Sequence, residues 1–184
     1  MLFVIAAPSG AGKTTIVNEI LKIHPEFIFS VSATTRNKRK GETNGKDYYF
    51  FTKEEFLEKI EKNELVEYEI LFNQDYYGTL KSFVDGNLQN GRNVIFDVDV
   101  KGALAIKSIY KEKAVLIFIM PPDIETLKER LKNRATESQN QINERIRRVD
   151  LEIGKANHFD YIVLNDNLKK AVSEVNNIIK SLNK

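Results

Sequence analysis

The sequence has no cysteine, and neither sign of charge is in clear excess. Without cysteine the chain can form no disulfide framework and no thiolate metal site. The 28 basic and 26 acidic side chains leave a net charge of +2. Such a small excess does not provide the basic surface of an extended nucleic-acid interface. We therefore expect no nucleic-acid partner.

A long hydrophobic run is also missing. The apolar stretch at residues 1–7 has no charged segment before it, and it is too short for a signal peptide or a membrane span. We therefore expect a cytoplasmic protein with no membrane partner. The chain of 184 residues, with 42% hydrophobic and 29% charged residues, has the length and composition of one domain with a buried core.

Apolar strands alternate with amphipathic helices along most of the chain. Short apolar runs predict buried strands at 2–6, 27–31, 94–98, 115–120 and 161–164. Helical periodicity predicts helices at 13–22, 100–110, 140–157 and 171–182. This alternation is typical of an α/β fold, in which helices cover both faces of a parallel sheet.

Residues 32–80 interrupt this alternation. After a polar segment, residues 48–51 and 65–72 have the composition of strands. Between them, Thr52 and Glu55 form the capping-box pattern that begins a short helix. We therefore predict a small insertion of mainly antiparallel strands.

A glycine-rich loop follows the first predicted strand and precedes the first helix. It fits the phosphate-loop pattern G-x-x-x-x-G-K-[ST], except that Ala7 replaces the first glycine. Its glycines let backbone N–H groups point at an anion beside the positive end of a helix. Lys13 can bind the β- and γ-phosphates, and Thr14 can offer its hydroxyl to Mg²⁺. The alternative is an ordinary glycine-rich turn. The candidate ATP-binding residues are Ala7, Pro8, Ser9, Gly10, Ala11, Gly12, Lys13, Thr14 and Thr15.

An acidic residue ends the predicted strand at 94–98. Asp97 can hold Mg²⁺, with a water molecule between them, as a Walker B acid does, and Asp99 lies two residues further on. Acidic residues are common at strand ends, so Asp97 alone would not identify a metal site. The phosphate loop upstream makes a Mg²⁺ site the better interpretation of Asp97.

Residues 32–48 contain candidate ligands for a second phosphate group. Arg36 and Arg39 each offer a planar fork of donors, and Ser32 and Tyr48 can add hydroxyl groups. Taken alone, the basic segment at 36–40 is more typical of a solvated loop, and only the surrounding spacing favours a phosphate site. If a second phosphate group binds here, the small molecule that accepts the phosphoryl group already carries a phosphate.

The spacing of this segment resembles the guanylate kinase family. The family pattern Thr-[Ser/Thr]-Arg-x₂-[Lys/Arg]-x₂-[Asp/Glu]-x₂-Gly-x₂-Tyr-x-[Phe/Tyr] is matched from Thr34 to Phe50. The phosphate loop, the Tyr77-Gly78-Thr79 step, the Asp97-Val98-Asp99 strand end and an arginine-bearing segment match as well. The resemblance implies a P-loop kinase fold and transfer of the ATP γ-phosphoryl group to GMP with Mg²⁺, giving ADP and GDP.

The resemblance also implies how GMP is bound. Glu67, Thr79 and Asp99 would recognise guanine, because a carboxylate can accept from N1–H and N2–H₂ while a hydroxyl donates to O6. A plain acid on an edge strand is the alternative interpretation of Glu67. The residues implied for the GMP phosphate are Ser32, Arg36, Arg39, Tyr48 and Tyr77.

A polar segment rich in arginine is expected to form a helical lid over the phosphates. The resemblance assigns Arg130, Arg134 and Arg145 to phosphate binding, and these join Lys13 and Arg36 as the candidate catalytic residues. Arg148 lies outside the match, and we expect it to be a surface charge. The segment after the last predicted strand, which contains Asn165, resembles the loop that contacts adenine in this family. The expected division is a core at 1–31, 81–122 and 150–184, a GMP-binding insertion at 32–80 and a lid at 123–149.

Two other functions stay open. Some guanylate-kinase-like domains bind proteins and have lost catalysis, but they usually have a damaged phosphate loop, whereas Lys13 and Thr14 are intact here. A kinase for another nucleoside monophosphate is the second alternative. The sequence also leaves open whether dGMP is accepted and whether the protein is a monomer or a homodimer.

Overall fold

The computed structural model describes residues 1–70, 74–123, 125, 127 and 147–182. Most of the expected lid, including Arg130, Arg134 and Arg145, lies outside the described residues. The statements below concern the described part of the chain.

A five-stranded parallel sheet forms the core, as the alternating pattern predicted. Its order is β2-β7-β1-β8-β9, so the N-terminal strand lies at the centre. Parallel pairing brings the carboxyl ends of neighbouring strands to one edge, and Ile5 of β1 lies opposite Asp97 of β7. The strands are β1 (Leu2–Ala6), β2 (Ile28–Phe29), β7 (Val94–Asp97), β8 (Ala114–Met120) and β9 (Tyr161–Leu164).

Helices cover both faces of this sheet because successive side chains of each strand point to opposite faces. One buried cluster joins Phe3 and Ile5 to α1 (Lys13–Ile23) and α6 (Leu168–Leu182). The other joins Leu2 and Val4 to α3 (Lys81–Gln89) and α4 (Val100–Tyr110). Strands buried on both faces explain why their sequences are continuously apolar.

The insertion contains a second, four-stranded sheet of order β4-β3-β6-β5. β6 pairs antiparallel with both β3 and β5, whereas β3 and β4 are parallel. The fourteen residues at 35–48, which connect β3 to β4, fit a parallel connection, since only antiparallel strands can be joined by a tight turn. These strands are β3 (Ala33–Thr34), β4 (Tyr49–Phe50), β5 (Leu65–Ile70) and β6 (Tyr76–Leu80).

The capping box predicted at Thr52 is present. The Thr52 hydroxyl accepts from the Glu55 amide at 3.1 Å, and the Glu55 carboxylate accepts from the Thr52 amide at 2.7 Å. These two bonds satisfy donors that the first turn of a helix leaves free, and α2 (Lys53–Glu61) begins at this point.

Some predicted boundaries are wrong. The strand expected at 27–31 has two residues, Ile28 and Phe29, because it is an edge strand that pairs with β7 alone. The helix expected at 140–157 is described from 147 to 153, which we call α5; a turn at Gly154 and a 3₁₀ turn at Ala156–His158 follow it. No helix in the described part of the chain is long and apolar enough to cross a membrane.

Candidate active site

The phosphate loop connects β1 to α1. Gly10 and Gly12 have φ angles of +88° and +85°, in the left-handed region that favours glycine. A Cβ atom on Gly12 would lie 2.7 Å from the Asn165 amide nitrogen. That amide donates to the Ala11 carbonyl at 2.8 Å. Asn165, which we expect to contact adenine, therefore stabilises the phosphate loop through this hydrogen bond.

Lys13, Thr14 and Asp97 meet at the carboxyl edge of the parallel sheet. The Lys13 ammonium contacts the Asp97 carboxylate and donates to the Val98 carbonyl at 2.9 Å. The Thr14 hydroxyl donates to the other Asp97 oxygen at 2.6 Å. The structure thus brings a cation, a hydroxyl group and a carboxylate together from positions more than 80 residues apart.

The donors beside the phosphate loop suit a hard divalent cation. Mg²⁺ prefers oxygen ligands and is usually held by one or two carboxylates together with substrate phosphates. The Thr14 hydroxyl and the Asp97 carboxylate match that donor type. Among the described residues, no group of three or more His, Cys, Asp or Glu side chains could form a metal site without a substrate.

A small cavity of about 80 Å³ lies next to the phosphate loop. Its walls come from the loop, from Pro121 and Pro122 after β8, and from Asn165 after β9. None of its lining residues belongs to the insertion at 32–80, so the cavity is a candidate for the adenine side of the ATP site.

Arg36 is held in the insertion by an acid and two aromatic rings. Its guanidinium donates to Glu42 at 2.6 and 3.1 Å and lies 5.2 Å from the centre of the Tyr48 ring. The Tyr77 ring lies 6.1 Å from the Tyr48 ring. Hydrogen bonds from Arg36 and from the Arg39 amide lower the pKa of Glu42. The carboxylate therefore stays ionised and fixes the arginine.

The remaining candidates for the GMP phosphate are more loosely placed. Arg39 is exposed and is connected to this group through its backbone amide, which donates to Glu42 at 2.7 Å. The Ser32 carbonyl accepts from the backbone amide of Tyr49, the residue after Tyr48, at 2.9 Å. The structure therefore brings Arg36, Tyr48 and Tyr77 together, with Arg39 at the rim.

An acidic pocket of about 480 Å³ lies between β5 and α4. Ligand sites of small molecules have volumes of roughly 300–1,000 Å³. Three acidic residues line this pocket: Glu67, Glu69 and Asp99. Hydrophobic walls from Leu65, Val66 and Ala105 complete a space suited to a flat, polar-edged ring.

Glu67 and Thr79 face each other across β5 and β6, and the hydroxyl donates to Glu67 Oε1 at 2.7 Å. Thr79 is 1% exposed, so here its hydroxyl orients Glu67 and does not face the acidic pocket. Burial raises the pKa of Glu67 to about 7, although the Thr79 hydrogen bond opposes this shift. The carboxyl group is therefore balanced between its neutral and ionised forms near neutral pH.

Glycines allow this close approach. A Cβ atom on Gly102 would lie 3.2 Å from both Asp99 Oδ1 and Glu67 Oε2. A Cβ atom on Gly78 would lie 2.7 Å from the Glu67 carbonyl oxygen. Both positions carry no side chain because the acids and the β5 backbone occupy that space.

The expectation that Arg148 is a surface charge is wrong. Its guanidinium NH2 group donates to Glu69 and to Asp99 at 2.7 Å each, and its Nε atom donates to Glu152 at 3.1 Å. Burial alone would raise the pKa of Asp99, but contacts with Glu69, the Gly102 amide and Arg148 together lower it. Asp99 also caps α4 by accepting from the Gly102 amide at 2.7 Å.

Sequence reasoning assigned no role to Glu42, Glu69, Gly102 or Arg148. Glu42 could have been found, because it lies at a fixed position of the family pattern and only acids pair with arginine in this way. The other three carry no local signal, because the contacts that bring them to the pocket, from Arg148 to Glu69 and from Gly102 to Glu67, join residues that are distant in the chain.

Comparisons with known proteins agree with this geometry. The family model described as guanylate kinase matches residues 1–182. A guanylate kinase of Porphyromonas gingivalis is 46% identical over 179 residues, which cover 97% of this chain and 95% of that protein. A guanylate kinase of Thermotoga maritima is 44% identical over 180 residues, which cover 98% of this chain and 86% of that protein.

A solved structure extends the similarity to the fold. The crystal structure of guanylate kinase from Anaplasma phagocytophilum superposes with a TM-score of 0.77 at 30% sequence identity. The match covers 98% of this chain and 85% of that chain. The phosphate loop, the acidic pocket and the full-length match lead to one conclusion: the chain belongs to the guanylate kinase family.

Proposed function

We propose that this protein transfers the γ-phosphoryl group of ATP to GMP, giving ADP and GDP in purine nucleotide metabolism. The observation that carries the proposal is the Glu67–Thr79 pair at the acidic pocket, in a chain that also has an intact phosphate loop. Two relatives named guanylate kinase support the proposal, because the match with this chain covers 95% and 86% of their length.

The phosphate loop would bind ATP. Backbone N–H groups beside Gly10 and Gly12 would face the phosphates at the positive end of α1. Lys13 would leave its contacts with Asp97 and Val98 and bind the β- and γ-phosphates. Asn165 would border the adenine, since it lines the small cavity beside the loop.

A magnesium ion fits between the phosphate loop and β7. Thr14 would hold it through its hydroxyl group, and Asp97 would hold it through a water molecule. When bound, Mg²⁺ neutralises charge on the β- and γ-phosphates. The short Thr14–Asp97 contact of 2.6 Å keeps both oxygen donors aimed at the same point.

The insertion would bind the GMP phosphate. Arg36 is pre-oriented by Glu42 and by the Tyr48 and Phe50 rings, so less rotamer entropy would be lost on binding. Tyr48 and Tyr77 would add hydroxyl donors. The exposed Arg39 side chain would turn toward the GMP phosphate and bind it. Ser32 is the remaining candidate on this side.

Guanine would be selected by the acidic pocket. Ionised Glu67 would accept from N1–H and N2–H₂, which adenine cannot offer in the same arrangement. Placing AMP there would leave buried polar groups unpaired, and sites of this kind reject the wrong ligand strongly. Asp99 would complete the contact with the ring, and Thr79 would do so if its hydroxyl rotated away from Glu67 when GMP binds.

The chemical step needs positioning and positive charge more than a strong base. A phosphate oxygen of GMP attacks the γ-phosphorus, and the bond to the β,γ-bridging oxygen of ATP breaks. Lys13 and Arg36 would stabilise the charge on the transferring group. The family resemblance adds Arg130, Arg134 and Arg145 from the lid. A cytoplasmic location and the oligomeric state stay predictions.

An ADP-release assay with AMP, GMP, CMP and UMP as acceptors tests the proposal. We expect turnover with GMP and much lower kcat/KM with the other three. A sample of Lys13→Ala purified in the same way controls for contaminating kinases. Equal turnover of GMP and AMP, or turnover that is the same in the Lys13→Ala sample, would refute the proposed function.

A further inference from the structure

One guanidinium group joins three elements around the acidic pocket. Arg148 projects from α5 and reaches Glu69 on β5 and Asp99 at the start of α4, both at 2.7 Å. Its Nε atom donates to Glu152, one turn further along α5, at 3.1 Å. These three hydrogen bonds include neither the phosphate loop nor the Arg36 group.

The carboxylates that Arg148 binds form one wall of the acidic pocket. Glu69 and Asp99 both line the cavity, and Glu67 lies between them and Thr79. Ionised carboxyl groups at one pocket repel each other, and burial together with the neighbouring Asp99 raises the pKa of Glu69 to about 7; a cation between the two acids opposes this shift. Arg148 supplies that cation at a fixed position, because a planar guanidinium donates in a rigid fork.

The same network extends toward the phosphate loop. Glu152 is 8% exposed and accepts from Arg148 through Oε1, while its Oε2 atom is buried without a hydrogen bond. Its carboxylate also lies near enough to the backbone amide of Ser9 to interact with it electrostatically. Arg148 thus lies between the acidic pocket and Glu152, whose carboxylate is close to Ser9 of the phosphate loop.

Resting on the proposed function, we propose that Arg148 is a positioning residue for guanine recognition. It holds the Glu69 and Asp99 carboxylates in the geometry that leaves Glu67 free to accept from the base. Arg148 itself does not touch the nucleotide. We expect its effect to fall mainly on the acceptor substrate, because two of its hydrogen bonds go to Glu69 and Asp99 at the acidic pocket, whereas Ser9 of the phosphate loop is reached only indirectly, through Glu152.

The adjacent residue provides a matched control. Arg147 belongs to the same turn of α5 and has the same charge, but it is exposed. Comparing Arg148→Gln with Arg147→Gln therefore separates the role of this guanidinium from a general effect of charge on the helix. Arg148→Lys keeps the charge but cannot reproduce the fork, because an ammonium group is a point donor.

The experiment measures kcat and KM for GMP, IMP and ATP in wild type and the three variants, after circular dichroism has shown that each is folded. IMP keeps N1–H and O6 but lacks the 2-amino group. We expect Arg148→Gln to raise KM for GMP about tenfold and to reduce the preference for GMP over IMP by a similar factor, the usual size of one lost buried contact. KM for ATP should change much less than KM for GMP, because Arg148 is connected to the phosphate loop only indirectly, through Glu152. Arg148→Lys should lie between wild type and Arg148→Gln, and Arg147→Gln should match wild type.

An Arg148→Gln variant with the GMP kinetics of Arg147→Gln would overturn this inference while leaving the proposed function intact. A loss confined to kcat, or an equal rise in KM for ATP, would also overturn it. If Arg148→Gln does not fold, Arg148→Lys decides, and wild-type kinetics in that variant would overturn it. A wild-type protein that does not phosphorylate GMP would instead refute the proposed function.

Discussion

The Thr79 hydroxyl donates its single proton to Glu67 Oε1, across two antiparallel strands, at 2.7 Å. A hydroxyl group has one proton to donate, so in this arrangement Thr79 has none left for the guanine O6. The pair therefore acts as one unit, in which Thr79 sets the direction of the carboxylate. Recognition of O6 by Thr79 would need the hydroxyl to rotate when GMP binds.

Replacing Glu67 should weaken guanine selection. Glu67→Gln keeps the size of the side chain but places an NH₂ donor where guanine also presents donors. One buried polar contact is then lost, which costs about 1–3 kcal/mol. We expect kcat/KM for GMP to fall about tenfold to a hundredfold, at 1.4 kcal/mol per decade.

The readout for Glu67→Gln is the ratio of kcat/KM for GMP to that for AMP. KM for ATP serves as the internal control, because the phosphate loop does not contact Glu67. An unchanged ratio in the variant would show that Glu67 does not recognise guanine.

GMP binding should depend on pH through Glu67. The groups facing this carboxyl are Thr79, Asp99 and Lys101, and burial raises its pKa from 4.5 to about 7. Binding requires the ionised form, so KM for GMP should fall as pH rises through about 7. Phosphate groups titrate near pH 6, and Glu67→Gln reports that contribution alone. A pH profile that is the same in both proteins would contradict the prediction.

The same pKa shift has a consequence for stability. Because the folded-state pKa of Glu67 lies above the unfolded value of 4.5, the folded state binds more protons between pH 4.5 and about 7. The free energy of unfolding contributed by this group therefore decreases as pH rises through that window. Denaturant titrations without nucleotide should show a smaller decrease in Glu67→Gln than in wild type, and an equal decrease would be evidence against a buried, raised-pKa carboxyl.

Lys13 should be needed for turnover and not for folding. Lys13→Ala removes a cationic donor to the phosphates, a change that typically lowers kcat by about 10²–10³. Lys22→Ala is a suitable control, because Lys22 lies on the same helix, is exposed and pairs with Glu19 on the helix surface. Stopped-time assays and thermal melts of both variants make the comparison. Near wild-type turnover in Lys13→Ala would rule out a catalytic role for the loop.

Two glycines should respond in opposite ways to alanine. Gly12→Ala introduces a Cβ atom at a positive φ and 2.7 Å from the Asn165 amide, so we expect a loss of about 1–3 kcal/mol in stability and a higher KM for ATP. Gly86 lies inside α3 with no atom within 4 Å of its added Cβ. Gly86→Ala should raise the free energy of unfolding by about 0.5–1 kcal/mol, because alanine favours helix. Denaturant titrations measure both, and a Gly12→Ala protein as stable as Gly86→Ala would contradict the strain argument.

The sequence alone predicted those elements whose characteristic residues lie within a few positions of one another. The glycine loop with Lys13 and Thr14, and the capping box at Thr52, each act within a few residues, so their structures follow from local sterics and hydrogen bonds. The parallel core could also be predicted, because strands buried on both faces must be apolar throughout. The short strand β3 and the helix α3 were missed, since neither has a distinct period of its own.

Tertiary structure decided which charges meet. Arg148 lies 79 residues from Glu69 and 49 from Asp99, and only the docking of α5 beside β5 and α4 brings their side chains to 2.7 Å. The sequence specified three acids and a row of arginines but not their pairing. Ion pairs depend on distance and burial in three dimensions, and neither quantity is encoded in the spacing of residues along the chain.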